Sequence, residues 1–176
     1  RTRTGIQERR IVSDDEASSD MGIQASKQLL DEYDIDPMSI DCTIVATVTP
    51  DMFFPSTACL IQEAIGAKNA WAFDLSAACS GFVYGMETAM RFVTSGGYKR
   101  ILLVGADTMS SITDYRDRNT CILFGDAAGA VLIEPTEHEE YGILDSIVRA
   151  DGSGAEYLYM EGGGSKNPPT HETVDK

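Results

Sequence analysis

No stretch of the 176 residues approaches the roughly 18 consecutive apolar residues of a membrane-spanning helix, so no such span is expected. Basic residues are scarce: 14 Lys and Arg stand against 28 Asp and Glu, a formal net charge of −14. Such a surface repels phosphate, so neither nucleic acid nor an anionic membrane is expected as a partner. Histidine is almost absent, with only His138 and His171. The four cysteines, Cys42, Cys59, Cys79 and Cys121, form no C-x-x-C pair and lie far from both histidines in sequence. A zinc site is therefore not expected. The thiols are also too sparse for a disulfide-stapled secreted domain, and they read as reduced cysteines of a cytoplasmic protein. There is no internal repeat, no low-complexity tract and no legible signal peptide. The abrupt opening at Arg1 reads as the interior of a longer chain.

What is present suits an ordinary globular domain. Apolar residues make up 43% and charged residues 24% of the chain, enough for one core. A polar opening of about 16 residues is expected to be loop. A helix is expected from Ser18 or Ser19, with Met21, Ala25 and Leu29 on its inner face and Asp36-Pro37 as its stop. Residues 40–48 are rich in β-branched side chains and predict a buried strand. A second helix starts at Pro55-Ser56-Thr57, faces inward with Leu60, Ile61, Ala64 and Ile65, and stops at Gly66. A short strand over 70–76, with Trp71 in the core, leads to a third helix from about Cys79 to Thr94. Its apolar stripe is Phe82, Val83, Met86, Ala89, Met90 and Val93. A strand follows at 100–105, Phe124 to Ile133 reads as a Gly/Ala-rich turn leading into another, and a further strand is expected at 142–149. The tail from Gly162 reads as polar loop. Strands alternating with helices predict an α/β fold with a mixed, mostly parallel sheet, its late strands added antiparallel at one edge.

The segment Asp74-Leu-Ser-Ala-Ala-Cys79-Ser-Gly-Phe-Val stands out chemically. A buried strand stops, small residues turn, and a buried helix begins at a cysteine. A helix start offers free N–H groups and a partial positive charge, which favour thiolate over thiol. The same N–H groups suit an oxyanion formed when a thioester is attacked. Ala77, Ala78, Ser80 and Gly81 leave room for a substrate. Taken alone, the pattern leaves a second reading open, since a lone cysteine is commonly a buried packing residue. Phe124-Gly-Asp-Ala-Ala-Gly-Ala is a Gly-rich turn without the G-K-[ST] of a phosphate loop.

The nucleophile segment resembles that of the β-ketoacyl-acyl-carrier-protein synthase III family. So do Thr2-Arg3-Thr4-Gly5-Ile6, Phe54-Pro55-Ser56-Thr57-Ala58 and Phe124-Gly-Asp-Ala-Ala-Gly-Ala130, in the family's order and spacing. The resemblance implies a thiolase-like layered α-β-α half, with residues 1–176 forming the N-terminal domain and the C-terminal half lying outside this chain. It implies Cys79 as the nucleophile that takes an acyl group from acyl-CoA. Claisen condensation with malonyl-acyl-carrier-protein then starts fatty-acid synthesis, with acetyl-CoA the expected primer, in a homodimer without a cofactor. The family's His and Asn are expected beyond residue 176, so this chain alone is expected to be inactive. His138 and His171 match no family motif.

Further residues carry over by motif. Arg3 matches an arginine that meets the CoA phosphates, Thr4 stands beside it, and Arg118 matches one that stacks on the adenine. A planar cation suits both tasks, although either arginine also reads as a solvated surface residue. Phe54 matches a residue that crosses the dimer interface to close the partner's acyl pocket, or else is an ordinary loop aromatic. Cys42, Cys59 and Cys121 read as packing. No Lys/Arg cluster offers a dock for the acidic carrier protein; either the dock lies on the other half, as the resemblance implies, or it is local and small. Two other readings stand beside the leading one. One is a specialised condensing enzyme or acyltransferase of secondary metabolism. The other is a non-catalytic folding and dimerisation fragment.

Overall fold

The computed structural model describes residues 4–138 and 140–173. Arg3, one of the residues assigned to CoA, therefore lies outside the described residues. The chain separates into two compact units, Arg1–Ser146 and Ile147–Lys176.

The first unit is built on a four-stranded sheet of order β2-β1-β3-β4. The strands are β1 (Cys42–Ala46), β2 (Trp71–Leu75), β3 (Ile101–Thr108) and β4 (Asp126–Ile133). β1 pairs parallel with both β2 and β3, and β4 closes the other edge antiparallel to β3. The helices are α1 (Ser18–Glu32), α2 (Thr57–Ala64) and α3 (Gly81–Thr94). The chain steps outward from β1 to β2 through α2, then back across β1 to β3 through α3. Right-handed crossovers in opposite directions put the two helices on opposite faces. The core accordingly has two halves. Val45, Leu102 and Val104 face Leu30 of α1 and Ile61 of α2. Ile44, Ile101 and Leu103 face Ala89 and Val93 of α3. β1, covered on both sides, is buried at every position, as a central parallel strand should be.

The helices meet the sheet through small residues more than large ones. The buried positions of α1 are Ser18, Ser19, Gly22, Ser26 and Leu30, one residue away from the expected Met21, Ala25 and Leu29. The Ser26 hydroxyl donates to the Gly22 carbonyl at 2.7 Å and that of Ser18 to the Thr49 carbonyl at 2.7 Å, so their burial leaves no polar group orphaned. With Ser18 occupied there, Ala17 is the N-cap. Asp20 reaches back to its N–H at 2.9 Å, and Asp51 receives the Ser19 N–H and Oγ at 2.9 and 2.6 Å. The helix ends at Tyr33, before Asp36-Pro37, where Asp34 adopts φ +51°. In α3 the buried row is Gly81, Gly85, Ala89 and Val93. A Cβ on Gly85 would lie 2.5 Å from Leu103 Cδ1, so glycine sets the helix-to-sheet distance. The expected stripe is turned partly outward, with Phe82 and Val83 exposed.

α2 starts where expected, with Ser56 Oγ accepting the Cys59 N–H, and Gly66 follows its end at φ +79°. Its inner face is Thr57, Ala58 and Ile61; Leu60 is half-buried and Ala64 exposed. Trp71 is 43% exposed, contrary to the core position expected for it. It begins an edge strand and stacks on Phe73, with ring centroids 5.2 Å apart. No strand forms at 142–149 among the described residues, because β-branched composition does not supply a partner for the ladder.

The second unit contains a short 3-10 turn, Gly152–Gly154, opened by Asp151, whose carboxylate accepts the Ser153 N–H at 2.9 Å and Oγ at 2.6 Å. Gly163 N–H donates to the Asn167 carbonyl at 2.9 Å, closing the glycine-rich loop. Tyr157, Leu158, Tyr159 and Met160 are exposed.

Candidate active site

β1, β2 and β3 run parallel, so their C-terminal ends gather at one end of the sheet, where open α/β sheets bind ligands. Three loops emerge there: residues 47–56 after β1, 76–80 after β2 and 109–125 after β3. Each carries residues singled out by sequence.

Cys79 stands in the loop after β2. It lies in a 3-10 turn, Ala78–Ser80, and α3 begins two residues later at Gly81; the thiol thus precedes the helix rather than opening it. Ala78 holds φ +46°, a left-handed conformation that a residue with a Cβ adopts only at a cost, and such strain gathers at functional sites. Cys79 is exposed. Among the described residues no side chain caps the start of α3; the Ser80 N–H donates to the Ala77 carbonyl at 3.1 Å and the Gly81 N–H to the Ala78 carbonyl. A Cβ on Gly81 would come within 3.3 Å of Ala46 Cβ, which seats this helix end against β1.

The other thiols differ in setting. Cys42 is buried in β1, and burial, with the nearby Asp41 charge, pushes its pKa up to about 12. It is a packing residue, as expected. Cys121 is half-buried. Cys59 is exposed, against expectation, on the outer side of α2, where it accepts the Ser56 hydroxyl at 3.2 Å.

Phe54 sits in the loop after β1. It is 84% exposed and Phe53 86% exposed, an apolar tip that does not pack into this unit's core. Three carboxylates hold the loop beneath it. Asp107 Oδ1, on β3, accepts the Val48 N–H at 2.8 Å, the Thr49 N–H at 3.2 Å and the hydroxyls of Thr47 and Thr49 at 3.1 and 2.9 Å. Asp51 ties the loop to α1, as above. Asp74, on β2, accepts the Thr57 and Ala58 N–H groups at 2.8 Å each. Asp74 thus fastens the start of α2, next to Phe54, to the strand that delivers Cys79. None of these carboxylates had a role in the sequence reading; the available signal was an aspartate closing a β-strand beside Ser/Thr-rich turns, which is the chemistry of amide capping.

Arg118 lies exposed in the loop after β3. Its turn is closed by Asp117, whose carboxylate accepts the Asn119 N–H at 2.9 Å and the Thr120 hydroxyl at 2.7 Å; these bonds, the Asn119 amide's first, hold the carboxyl below its usual pKa range. Thr4 is exposed at the start of the described chain, its hydroxyl accepting the Ile6 N–H at 3.2 Å. The segments of Thr4 and Arg118 are joined by a cross-tie that sequence reading missed. Arg9 donates through Nε to the Leu123 carbonyl at 3.2 Å and through Nη2 to the Ile122 carbonyl. The buried Asp126 accepts the Val12 N–H at 2.9 Å, the Ser110 N–H at 2.8 Å and the Ser110 hydroxyl at 2.6 Å. Desolvation raises the pKa of its carboxyl, but the bonds from Ser110 and Val12 outweigh burial, and the net shift is downward.

Gly125, in the Gly-rich segment, leaves space for Arg9 and the Arg10 carbonyl. The glycine thus serves the N-terminal segment.

The family model of 3-oxoacyl-[acyl-carrier-protein] synthase III matches residues 73–152, which include Cys79 and Arg118. A β-ketoacyl-[acyl-carrier-protein] synthase III of Chlorobium chlorochromatii is 57% identical over 178 aligned residues, covering 100% of this chain and 54% of that protein. The solved synthase III of Thermus thermophilus superposes with a TM-score of 0.87 at 39% identity, over 98% of this chain and 52% of that one. A priming β-ketosynthase of a polyketide pathway superposes with a TM-score of 0.75 at 40% identity, over 78% of this chain and 41% of that one. The chain spans about half the length of the curated relatives it matches. The layered α/β sheet is half of their thiolase-type fold.

Proposed function

Since the chain belongs to the β-ketoacyl-acyl-carrier-protein synthase III family, we propose that it is the nucleophile-bearing half of a condensing enzyme that starts fatty-acid synthesis. The observation that carries this reading is the exposed Cys79, held just after the left-handed Ala78 in the turn that leads into α3. The Cys79 thiolate attacks the carbonyl of acyl-CoA, the primer expected being acetyl. The tetrahedral oxyanion is stabilised by the backbone N–H at Cys79 itself. Its collapse expels the CoA thiolate and leaves an acyl-cysteine. Malonyl-acyl-carrier-protein then loses CO₂, and the resulting carbanion attacks the acyl-cysteine. The products are β-ketoacyl-acyl-carrier-protein and free Cys79. The His and Asn that stabilise this carbanion belong to the other half of the protein, as does the carrier-protein dock.

Arg3, Thr4 and Arg118 line the CoA entrance in this reading. The exposure of Phe54 and Phe53 supports the assignment of Phe54 to a homodimer contact that closes the partner's acyl pocket. Among the described residues no helix is long and apolar enough to cross a membrane, and the reduced thiols support a cytoplasmic setting. The 176-residue chain by itself is expected to be a folding and dimerisation module without condensation activity. The exposed Phe82 and Val83 of α3 support that expectation, because they form an apolar face for a missing neighbour. The likeness to a polyketide priming synthase favours, as second reading, a specialised condensing enzyme with the same nucleophile and another primer.

The test is product formation. The full-length protein, given acetyl-CoA and malonyl-acyl-carrier-protein, is expected to release CO₂ and β-ketoacyl product, and the isolated chain is expected to release neither. Absence of product from the full-length protein with acetyl-CoA and with a panel of other acyl-CoAs contradicts the reading. Product with another primer alone supports the second one.

A further inference from the structure

We infer that Arg9 is a positioning residue for coenzyme A: it locks the N-terminal segment carrying Thr4 to the loop carrying Arg118, so that the CoA entrance is built before CoA arrives. This rests on the assignment of Arg3, Thr4 and Arg118 to CoA.

Arg9 is half-buried between the exposed Glu8 and Arg10. Among the described residues its guanidinium pairs with no carboxylate, and Nη1 donates to the Glu8 carbonyl at 3.2 Å. It reaches across more than a hundred residues of sequence to the carbonyls of Ile122 and Leu123. A planar fork holds its donors in fixed geometry toward two neighbouring carbonyls, a pre-organisation that an ammonium lacks. Those carbonyls lie just after the Asp117-closed turn that presents Arg118. The same seam continues through the Asp126 N–H, which donates to the Arg10 carbonyl at 2.8 Å, and through the Asp126 carboxylate, which takes the Val12 N–H. Gly125 completes the fit, since a Cβ there would stand 3.0 Å from Arg9 Cδ and 3.1 Å from the Arg10 carbonyl oxygen. The loop after β3 and the chain before α1 are thus tied together, and Arg9 is the tie nearest in sequence to Thr4 and Arg118. Without it, both segments must be ordered by the ligand, and that ordering is charged against binding.

The experiment measures CoA binding calorimetrically and steady-state kinetics on the full-length protein. Arg9→Ala is expected to raise the Kd for CoA and the KM for acetyl-CoA by roughly tenfold, while kcat and the KM for malonyl-acyl-carrier-protein hold, the signature of lost uniform binding. Arg9→Lys, which reaches one carbonyl, is expected to fall between. Arg10→Ala removes the same charge one residue on, from an exposed side chain paired with the neighbouring Glu8, and is expected to match the wild type. Gly125→Ala wedges the same seam from the other side and is expected to repeat the Arg9→Ala pattern.

An unchanged Kd in Arg9→Ala, a fall in kcat at constant KM, or an equal effect from Arg10→Ala overturns the inference. Should Arg9→Ala fail to fold, Arg9→Lys and Gly125→Ala decide it, and wild-type CoA affinity in both overturns it. Wild-type protein that binds CoA but forms no product refutes the proposed function and leaves this inference to the Kd series. Wild-type protein that binds no CoA refutes both.

Discussion

Removing the Asp74 carboxylate should loosen the joint between the nucleophile strand and α2. Asp74 accepts two amides, those of Thr57 and Ala58, at 2.8 Å each. Both residues are essentially fully buried, at 1% and 0% exposure, so water cannot easily replace the lost acceptor. Asp74→Ala leaves two enclosed donors at a helix start. Each unmet donor costs about 1–3 kcal/mol, less whatever relaxation admits water. The lost favourable interaction of a carboxylate with the helix dipole adds about 0.3–1 kcal/mol. A destabilisation of about 2–4 kcal/mol follows. Asp74→Asn keeps one carbonyl acceptor but turns an amide NH₂ toward the second donor, and is expected to cost about half as much. Thermal unfolding of the full-length protein, followed by circular dichroism, should show a melting temperature lower by roughly 4–12 °C for Asp74→Ala, with Asp74→Asn between it and the wild type. A melting point for Asp74→Ala within about 1 °C of wild type, or a larger loss for Asn than for Ala, refutes the reasoning.

Three further outcomes are expected. Cys42, its pKa pushed up to about 12, carries only about one thiolate in ten thousand at pH 8. Iodoacetamide should therefore label Cys79 and Cys59 in the native protein and Cys42 only after unfolding; native labelling of Cys42 contradicts its setting. The Asp126 carboxyl lies below its usual pKa, so its contribution to stability is present above an unfolded value of about 3.9 and is lost as pH falls through the lower folded value. Asp126→Asn should be less stable than wild type at neutral pH, and the gap should close as the medium is acidified below about pH 4; a gap constant down to that acidity argues against this. Thr43 Oγ1 is buried in β1 with no hydrogen-bond partner among the described residues, so Thr43→Val should raise stability by about 1–2 kcal/mol in denaturant titrations, and a loss of stability would contradict this.

The strand–helix alternation and the antiparallel edge were legible because β1 and β3 are continuous β-branched and aliphatic runs bounded by turns. The inner faces of α1 and α3 were not. Hydrophobic periodicity finds large apolar residues, whereas these helices approach the sheet through Ser18, Gly22 and Ser26 or Gly81, Gly85 and Ala89. Closeness there depends on missing side-chain volume, which no hydropathy pattern records. Trp71 misled for the converse reason: a large aromatic on an edge strand packs against Phe73, Phe92 and Tyr98 while staying partly open. At the candidate site, the strand–small-residue–helix setting of Cys79 could be read. Asp74, Asp107, Asp126 and Arg9 could not, because they bond backbone amides and carbonyls distant in sequence. A single sequence shows which side chains can cap but not which loop they cap.

The account turns on where an acyl group lands. Full-length protein incubated with isotopically labelled acetyl-CoA, then digested and mapped by mass spectrometry, is expected to carry the acetyl group on the peptide containing Cys79. The label should vanish in Cys79→Ala and persist in Cys59→Ala and Cys121→Ala. Acetylation of another thiol, or label retained in Cys79→Ala, contradicts the assignment of Cys79 as the nucleophile.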